Sequence, residues 1–432
     1  MNFSPSHRHI LAVLLLFAVV LAIHFSPFQP TATYATVFVC SSLIYLWIIR
    51  RLFVLDPPRT YLLVAIGLAV LVRLSFITTL PVGSDDVYRY LWDGKVQASG
   101  INPYRYAPNA PELNHLHSPL LPASVNHAEM KTLYFPLSQW AFMVAYQMSG
   151  EHVWGFKLLL LAAELATGFG LYLILKKLMI PLRFLLIYAL CPLPIIEFAM
   201  DAHLDGLGLP LFILALFFFL DKKQFLSYVF FGLAISIKPV AVVVLPILLF
   251  HEQGLWNRIK VVLVPAATVA AQFLPYVFNS NPFEALFTFA QNWTFNGPVF
   301  EILFAFINDN QKARLVCALL LGIVLLTVSL SKKDIISKIY LSILFLLLFS
   351  PVVHPWYVAW MVVLLPIVRR WSGIVFAASV SLTCQTLLQY KLAGVWEQSP
   401  IVLILEYLPV VVVLSWELLR EYRGRDSVHR LI

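Results

Sequence analysis

Charge is scarce in this chain: 12% of its 432 residues are Asp, Glu, Lys or Arg, against a hydrophobic share of 60%. Soluble domains carry about 25% charged residues, so that class is excluded and a membrane protein remains. Cysteine is sparse too. Cys40, Cys191, Cys317 and Cys384 all lie in apolar segments without CxxC spacing, which excludes a disulfide frame and a thiolate metal site and leaves small core residues. Internal repeats are missing, as is any long polar stretch between the apolar runs, so 1–432 reads as one integral membrane domain. The formal charge of +8 would suit a nucleic-acid surface, but the basic residues form short clusters between spans rather than one face. No nucleic acid is expected as a partner.

Apolar runs long enough to cross ~30 Å of hydrocarbon recur along the chain. The first, ILAVLLLFAVVLAIHF from Ile10, has the length of a signal peptide but no small-residue cleavage site after it, and is expected to be a retained helix. Basic clusters occur at Arg50/Arg51/Arg59, Lys176/Lys177/Arg183, Lys222/Lys223, Arg258/Lys260, Lys332/Lys333/Lys338, Arg369/Arg370 and Arg420/Arg423/Arg425. Placing all of them in the cytoplasm threads the spans without contradiction if two segments, 225–250 and 339–368, are hairpins broken at LAISIKPVAV and FSPVVHPWYVAW. The expectation is an all-α, polytopic protein of about 12 to 14 transmembrane helices or half-helices with both termini inside. Residues 81–134, the DAHLDG turn at 201–206 and the loop from Asn279 to Lys312 then face the extracytoplasmic side, joined by the HPW corner at 354–356. A site there lies beyond the reach of nucleotide-activated substrates. FPLSQWAFMVAYQMSG from Phe135 suits a short span or an interfacial helix.

The first of these loops opens with GSDDVYRYLWDGKVQASGINPYRY, residues 83–106. Ser84 is a good N-cap, Asp85 and Asp86 fall in the first turn and Gly100 suits a C-terminal cap, so 85–98 is predicted to be a short amphipathic helix along the membrane surface. Asp86, Arg89, Asp93 and Gln97 share one stripe, expected to be wet and turned toward a cavity; Val87, Leu91, Gly94 and Ala98 share another. A plain surface helix with an Arg89–Asp93 pair is one reading. Against it, adjacent carboxylates repel, they directly follow an apolar span, and the run after them (Tyr88, Tyr90, Trp92, Lys95, Tyr104, Arg105, Tyr106) is of the kind that packs sugars and phosphates.

A carboxylate here has a definite task if the donor is a sugar on a lipid phosphate. The phosphate is already a good leaving group, with a second pKa of about 6, so no protein acid is required. One carboxylate can take the acceptor's proton, and Arg or Lys can stabilise the phosphate. Consecutive helical residues point about 100° apart, so Asp85 and Asp86 have separate jobs.

The stretch GSDDVYRYLWDGKVQASGINPY resembles the first large extracytoplasmic loop of the C-type glycosyltransferases, particularly the bacterial polyprenol-phosphomannose-dependent α-mannosyltransferases. The shared pattern is an acidic pair after an early span, an arginine, a WDG-like element and an NPY element, matched by Asp85, Asp86, Arg89, Trp92 to Gly94 and Asn102 to Tyr104. LKPV-like and HPWY-like elements follow at Ile237 to Val240 and His354 to Tyr357. Here the acidic pair follows the third apparent span, whereas many relatives carry it after the first. The resemblance implies Asp85 or Asp86 as catalytic base, a hexose (mannose) donor on polyprenyl phosphate, and an extracytoplasmic lipid, glycan or protein acceptor. It also implies a bacterial cytoplasmic membrane. A single displacement from a β-linked donor would give an α product, and the mechanism requires no metal or other cofactor.

Other residues support this reading or compete with it. Lys238, mid-hairpin, either snorkels or meets the lipid phosphate with Arg89 or Arg105. His354 is a core histidine or a donor-pocket residue, and Trp356 and Tyr357 are belt residues or part of the same pocket. Asp201, His203 and Asp205 invite a metal reading, but a capped turn starting the next helix explains them better. In a helix, Asp201 and Asp205 would align as acceptor or supporting residues, like Asp93, while His203 would diverge. His115, His117 and His127 make a poor zinc signature and are expected to be solvated. Arg73, inside a span, needs an internal partner or cavity. QNWTFNGPVFE from Gln291 suits sugar stacking and an interfacial cap equally. Two other functions compete: a transporter or flippase for lipid-linked sugars, against which the lack of repeats argues, and a non-catalytic scaffold.

Overall fold

In hydrocarbon every backbone N–H and C=O needs an internal partner, so apolar runs of this length must be helical. A computed structural model, which describes residues 5–25, 30–278 and 280–423, is accordingly helical throughout, with no β-strand among the described residues. Asn279 and Arg425 lie outside the described residues. Among the described residues five helices are long and apolar enough to cross a membrane: Pro30–Leu52, Trp154–Lys177, Asn310–Leu330, Trp371–Ala393 and Pro400–Tyr422. Leu182–Ala189 and Pro192–Met200 form a pair bent by 46°, and shorter apolar helices such as Asp205–Leu220 and Ile335–Phe349 pack among them.

Both expected breaks occur, and proline causes them. Helix Gln224–Ile237 ends at Lys238, whose backbone is extended (φ −145°, ψ 123°) because Pro239 disfavours the helical region before it. A single-turn segment Pro239–Val243 and helix Val244–His251 follow. Ser227 Oγ bonds the Ala215 carbonyl, so 224–237 runs antiparallel to 205–220, whereas Gln272 Nε2 donates to Ser236 Oγ, so it runs parallel to Leu255–Phe273. The chain therefore turns back after Lys238, as a hairpin does. The second break separates Ile335–Phe349 from Pro355–Val362.

Basic clusters gather at one end of the bundle, paired rather than scattered. Arg183 meets Asp56 at 2.6 Å, Lys177 and Lys223 both meet Asp221 at 2.8 Å, and Lys333 and Arg370 both hold Glu421. Helix 154–177 links this end to the other over about 36 Å. At its far end Lys157 donates to the carbonyls of Phe76 (3.0 Å) and Thr79 (2.7 Å), which cap the finished helix Arg59–Ser75. Between the ends, Arg73 finds the internal partner it needs. Its Nε meets Glu164 Oε2 at 2.8 Å, and Nη1 donates to the Ala189 carbonyl at 3.1 Å, next to the bend before Pro192.

The first loop contributes helix Asp86–Ala98, one residue shorter than expected, with Ser84 Oγ accepting from the Asp86 amide at 3.2 Å. Gly100, at φ +78°, ends it as the spacing predicts. The expected wet stripe is a correction. Arg89 and Asp93 are buried along with Val87, Leu91 and Gly94, because helix Pro136–Ser149 packs over the loop. Gly94 shows how closely. A Cβ there would lie 2.2 Å from the Phe142 carbonyl oxygen, a backbone atom that cannot turn aside. Gly94→Ala is expected to cost about 1–3 kcal/mol, read as a lower melting temperature of the detergent-solubilised protein.

Candidate active site

Asp85 and Asp86 stand at the start of the loop helix, where the unpaired amides of the first turn favour negative charge. One neutral side chain spans them. Asn126 Nδ2 donates to Asp85 Oδ1 at 2.8 Å and to Asp86 Oδ1 at 2.9 Å, relieving the repulsion between neighbouring carboxylates. Burial, then the charge of Asp86, raises Asp85 above the ordinary carboxylate range; the Asn126 bond and the charge of Lys391 oppose this. Donation to a carboxylate favours its charged form. Removing it in Asn126→Ala should therefore let Asp85 rise further. Because the same amide also donates to Asp86, the acid limb of a pH–rate profile is expected to move to higher pH in this variant.

Opposite the pair lies the turn between Met200 and Asp205. The helical spacing assumed for it does not apply, since Ala202 adopts φ +63° and 201–204 is a turn, not a helix. Each side chain therefore takes its own direction. Asp201 Oδ1 accepts from the amides of Val82 and Gly83, both at 2.9 Å, and so fixes the backbone leading into Asp85. Gly83 is required there, because a Cβ would meet Tyr34 Oη at 2.3 Å and Asp201 Oδ2 at 2.4 Å. His203, which the helical spacing sets apart, points into the cluster. Its Nε2 is 3.9 Å from Asp86 Oδ2 and its Nδ1 is 3.1 Å from Glu197 Oε2. Asp205 Oδ1 accepts from Trp360 Nε1 at 2.8 Å, and Oδ2 is 3.6 Å from Lys238 Nζ.

Lys238 is thus paired rather than snorkelling, and its ammonium lies 3.9 Å from the centre of the Tyr357 ring. Trp356 stacks between two imidazoles, His203 at 3.6 Å and His354 at 4.3 Å, and His354 stacks in turn on Phe295 at 4.8 Å. Phe295 is held there by backbone bonds to Pro351 and Val353. The loop from Gln291 is also a cap, with Asn296 Nδ2 donating to Glu406 at 3.0 Å.

The fold brings Asp85, Asp86, Asp201, Asp205, Lys238, His354, Trp356 and Tyr357 to one end of the bundle. Arg89 and Asp93 lie beneath, with Arg89 Nε 2.9 Å from Asp93 Oδ1 and Gln139 donating to Asp93 Oδ2 at 3.0 Å. The two Nη groups of Arg89 bond no other described residue. Tyr104 and Arg105 stand apart from the pair. Tyr104 is buried against Phe273 and Tyr276, with its hydroxyl on the Tyr134 carbonyl, and Arg105 is exposed above Tyr106. His115, His117 and His127 are exposed as expected, with His117 and His127 also touching the rings of Trp92 and Trp293. No group of three or more His, Cys, Asp or Glu among the described residues is arranged to hold a metal ion.

Sequence reasoning missed Asn126, Glu197 and Trp360. Glu197 alone carried a signal, as an ionisable residue inside the apolar PLPIIEFAM.

Helices suited to hydrocarbon, with a cluster of acidic, cationic and aromatic side chains at one end, make a polytopic membrane architecture of the kind that C-type glycosyltransferases have. Residues 9–252, more than half of the chain, match the alpha-(1->6)-mannopyranosyltransferase N-terminal domain, and the chain belongs to that family. It is a mannosyltransferase, which argues against the transporter and scaffold readings. No curated protein and no solved structure matches it.

Proposed function

We propose that the protein transfers mannose from a polyprenyl-phosphate carrier to a hydroxyl of an extracytoplasmic lipid, glycan or protein acceptor. The observation that carries this reading is the meeting of an acidic pair with a cation at one end of the bundle. Asp86 faces His203, whose ring stacks on Trp356, beside the Lys238–Asp205–Tyr357 group. The basic clusters occupy the opposite end, which the positive-inside rule assigns to the cytoplasm. The carboxylates then work where nucleotide sugars are absent and a lipid-borne sugar is the available donor.

In one displacement the acceptor O–H bond breaks toward a carboxylate of the pair, the oxygen bonds C1 of the sugar, and the C1–O bond to phosphate breaks with its electrons passing to the phosphate. Lys238, with Arg89 and His354, answers the charge that appears on the leaving phosphate, while Trp356 and Tyr357 offer ring faces to the sugar. Asp93, Asp201 and Asp205 support this frame. A β-linked donor gives an α product, in keeping with the α-(1→6) linkage in the family description. A monophosphate leaving group can be answered by cationic side chains, so the reaction asks for neither metal nor cofactor.

The test supplies purified protein with radiolabelled polyprenyl-phosphate mannose and, separately, GDP-mannose, each with a membrane extract as acceptor source. Label transfer from the lipid-linked donor alone, with release of polyprenyl phosphate, supports the proposal. Transfer from GDP-mannose alone overturns it.

A further inference from the structure

Resting on the acidic pair as the base, we propose that the buried Glu197–His203 pair positions that base, and that it selects Asp86 over Asp85 as the carboxylate that takes the acceptor proton. His203, 1% exposed, is held on three sides. Nδ1 lies 3.0 Å from the Glu197 carbonyl oxygen and 3.1 Å from Glu197 Oε2. A carbonyl only accepts, so Nδ1 carries a proton. The ring face is stacked on Trp356 with 16° between the planes. Nε2 is buried, has no hydrogen-bond partner among the described residues and faces Asp86 Oδ2 at 3.9 Å.

A histidine serving only the core would be satisfied by the Glu197 carbonyl and would turn its second nitrogen to solvent or to another donor. Here the second nitrogen looks at a carboxylate. Two lone pairs facing each other in a water-poor site repel, whereas a proton on Nε2 makes the contact attractive. Glu197, with Oε2 3.1 Å from Nδ1 behind the ring, favours a proton on the imidazole, and Asp201 adds to this. Burial pushes His203 down, but the bond to Glu197 and the charges of Glu197, Asp86 and Asp201 outweigh it and raise His203 above its ordinary value. The remaining titratable groups nearby are His354, across Trp356, which burial and the charges of Lys238 and His203 hold well below its ordinary value, and Lys238, whose ammonium feels both Asp205 and Asp86.

Asp85 has no such support. Its partners are the neutral amide of Asn126 and the charge of Lys391. With His203 Nε2 facing one oxygen and Asn126 donating to the other, Asp86 is held in a single orientation. His203 and Glu197 act through Asp86 and are positioning residues.

The experiment measures pH–rate profiles with polyprenyl-phosphate mannose for wild type, His203→Gln, Glu197→Gln and the double variant, with Asp85→Asn and Asp86→Asn as references. His203→Gln is expected to leave donor KM in place, lower kcat and move the acid limb to higher pH by about 1–3 units, the effect of losing an opposite charge at this distance. Glu197→Gln shifts it in the same direction by less, and the double variant is no worse than His203→Gln, because the two act in series. A purely structural histidine would lower the melting temperature without moving the limb. Should His203→Gln fail to fold, Glu197→Gln, which keeps the ring and the side-chain shape, decides alone. An unmoved profile in the folded variants, with Asp86→Asn inactive, overturns the positioning role only. An active Asp86→Asn protein overturns the base itself.

Discussion

Asp86→Asn is expected to transfer mannose from the lipid-linked donor about 10²–10⁴-fold more slowly than wild type, the usual range for loss of a general base. The substitution is close to silent structurally. An Asn at 86 keeps an oxygen that can accept from Asn126 Nδ2, now 2.9 Å from Asp86 Oδ1, and it keeps the helix start in place. What it loses is the ability to hold a proton. Single-turnover transfer, with donor binding measured on the same preparation, separates the two: binding stays and the chemical step slows. Asp85→Asn retains more activity, since Asp85 meets Asn126 and not His203. Equal and full activity in both variants would remove the acidic pair from the chemistry.

Removing half of the Arg73–Glu164 pair is expected to be the most damaging change to the bundle. Both side chains are nearly inaccessible, at 5% and 4%, and Arg73 also serves the Ala189 carbonyl beside the bend before Pro192. Glu164→Gln strands a guanidinium in hydrocarbon, and Arg73→Met strands a carboxylate that retains only Tyr188 at 3.3 Å. Each costs about 3–5 kcal/mol, visible as a large drop in the thermal midpoint in detergent or lipid nanodiscs. The double variant Arg73→Met/Glu164→Gln recovers most of the loss, because no unpaired charge remains. If the double variant melts as low as either single one, the pair is not what holds these helices.

The parts of the molecule written locally in the chain were the legible ones. Apolar runs, proline breaks at Lys238 and His354, and a helix closed by Gly100 each depend on a few neighbouring residues, and each appears as the spacing predicts. The polar stripe of the loop helix misled, because nothing within 86–98 reveals that helix 136–149 covers it. His203 misled for a different reason. A turn at positive φ on Ala202 replaces the helical spacing, and only that turn aims the imidazole at a carboxylate more than a hundred residues earlier. Asn126 carries no periodic or charge signal at all. Its value is conferred by what the fold brings to it.

The tight seat of Gly94 against the Phe142 carbonyl and the grip of Asn102 on the Tyr276 carbonyl fasten the first loop to the bundle at two separate points. Pinned at both places, the loop moves with the bundle as one body, and the acidic pair at its start keeps a fixed address against His203 and Asn126.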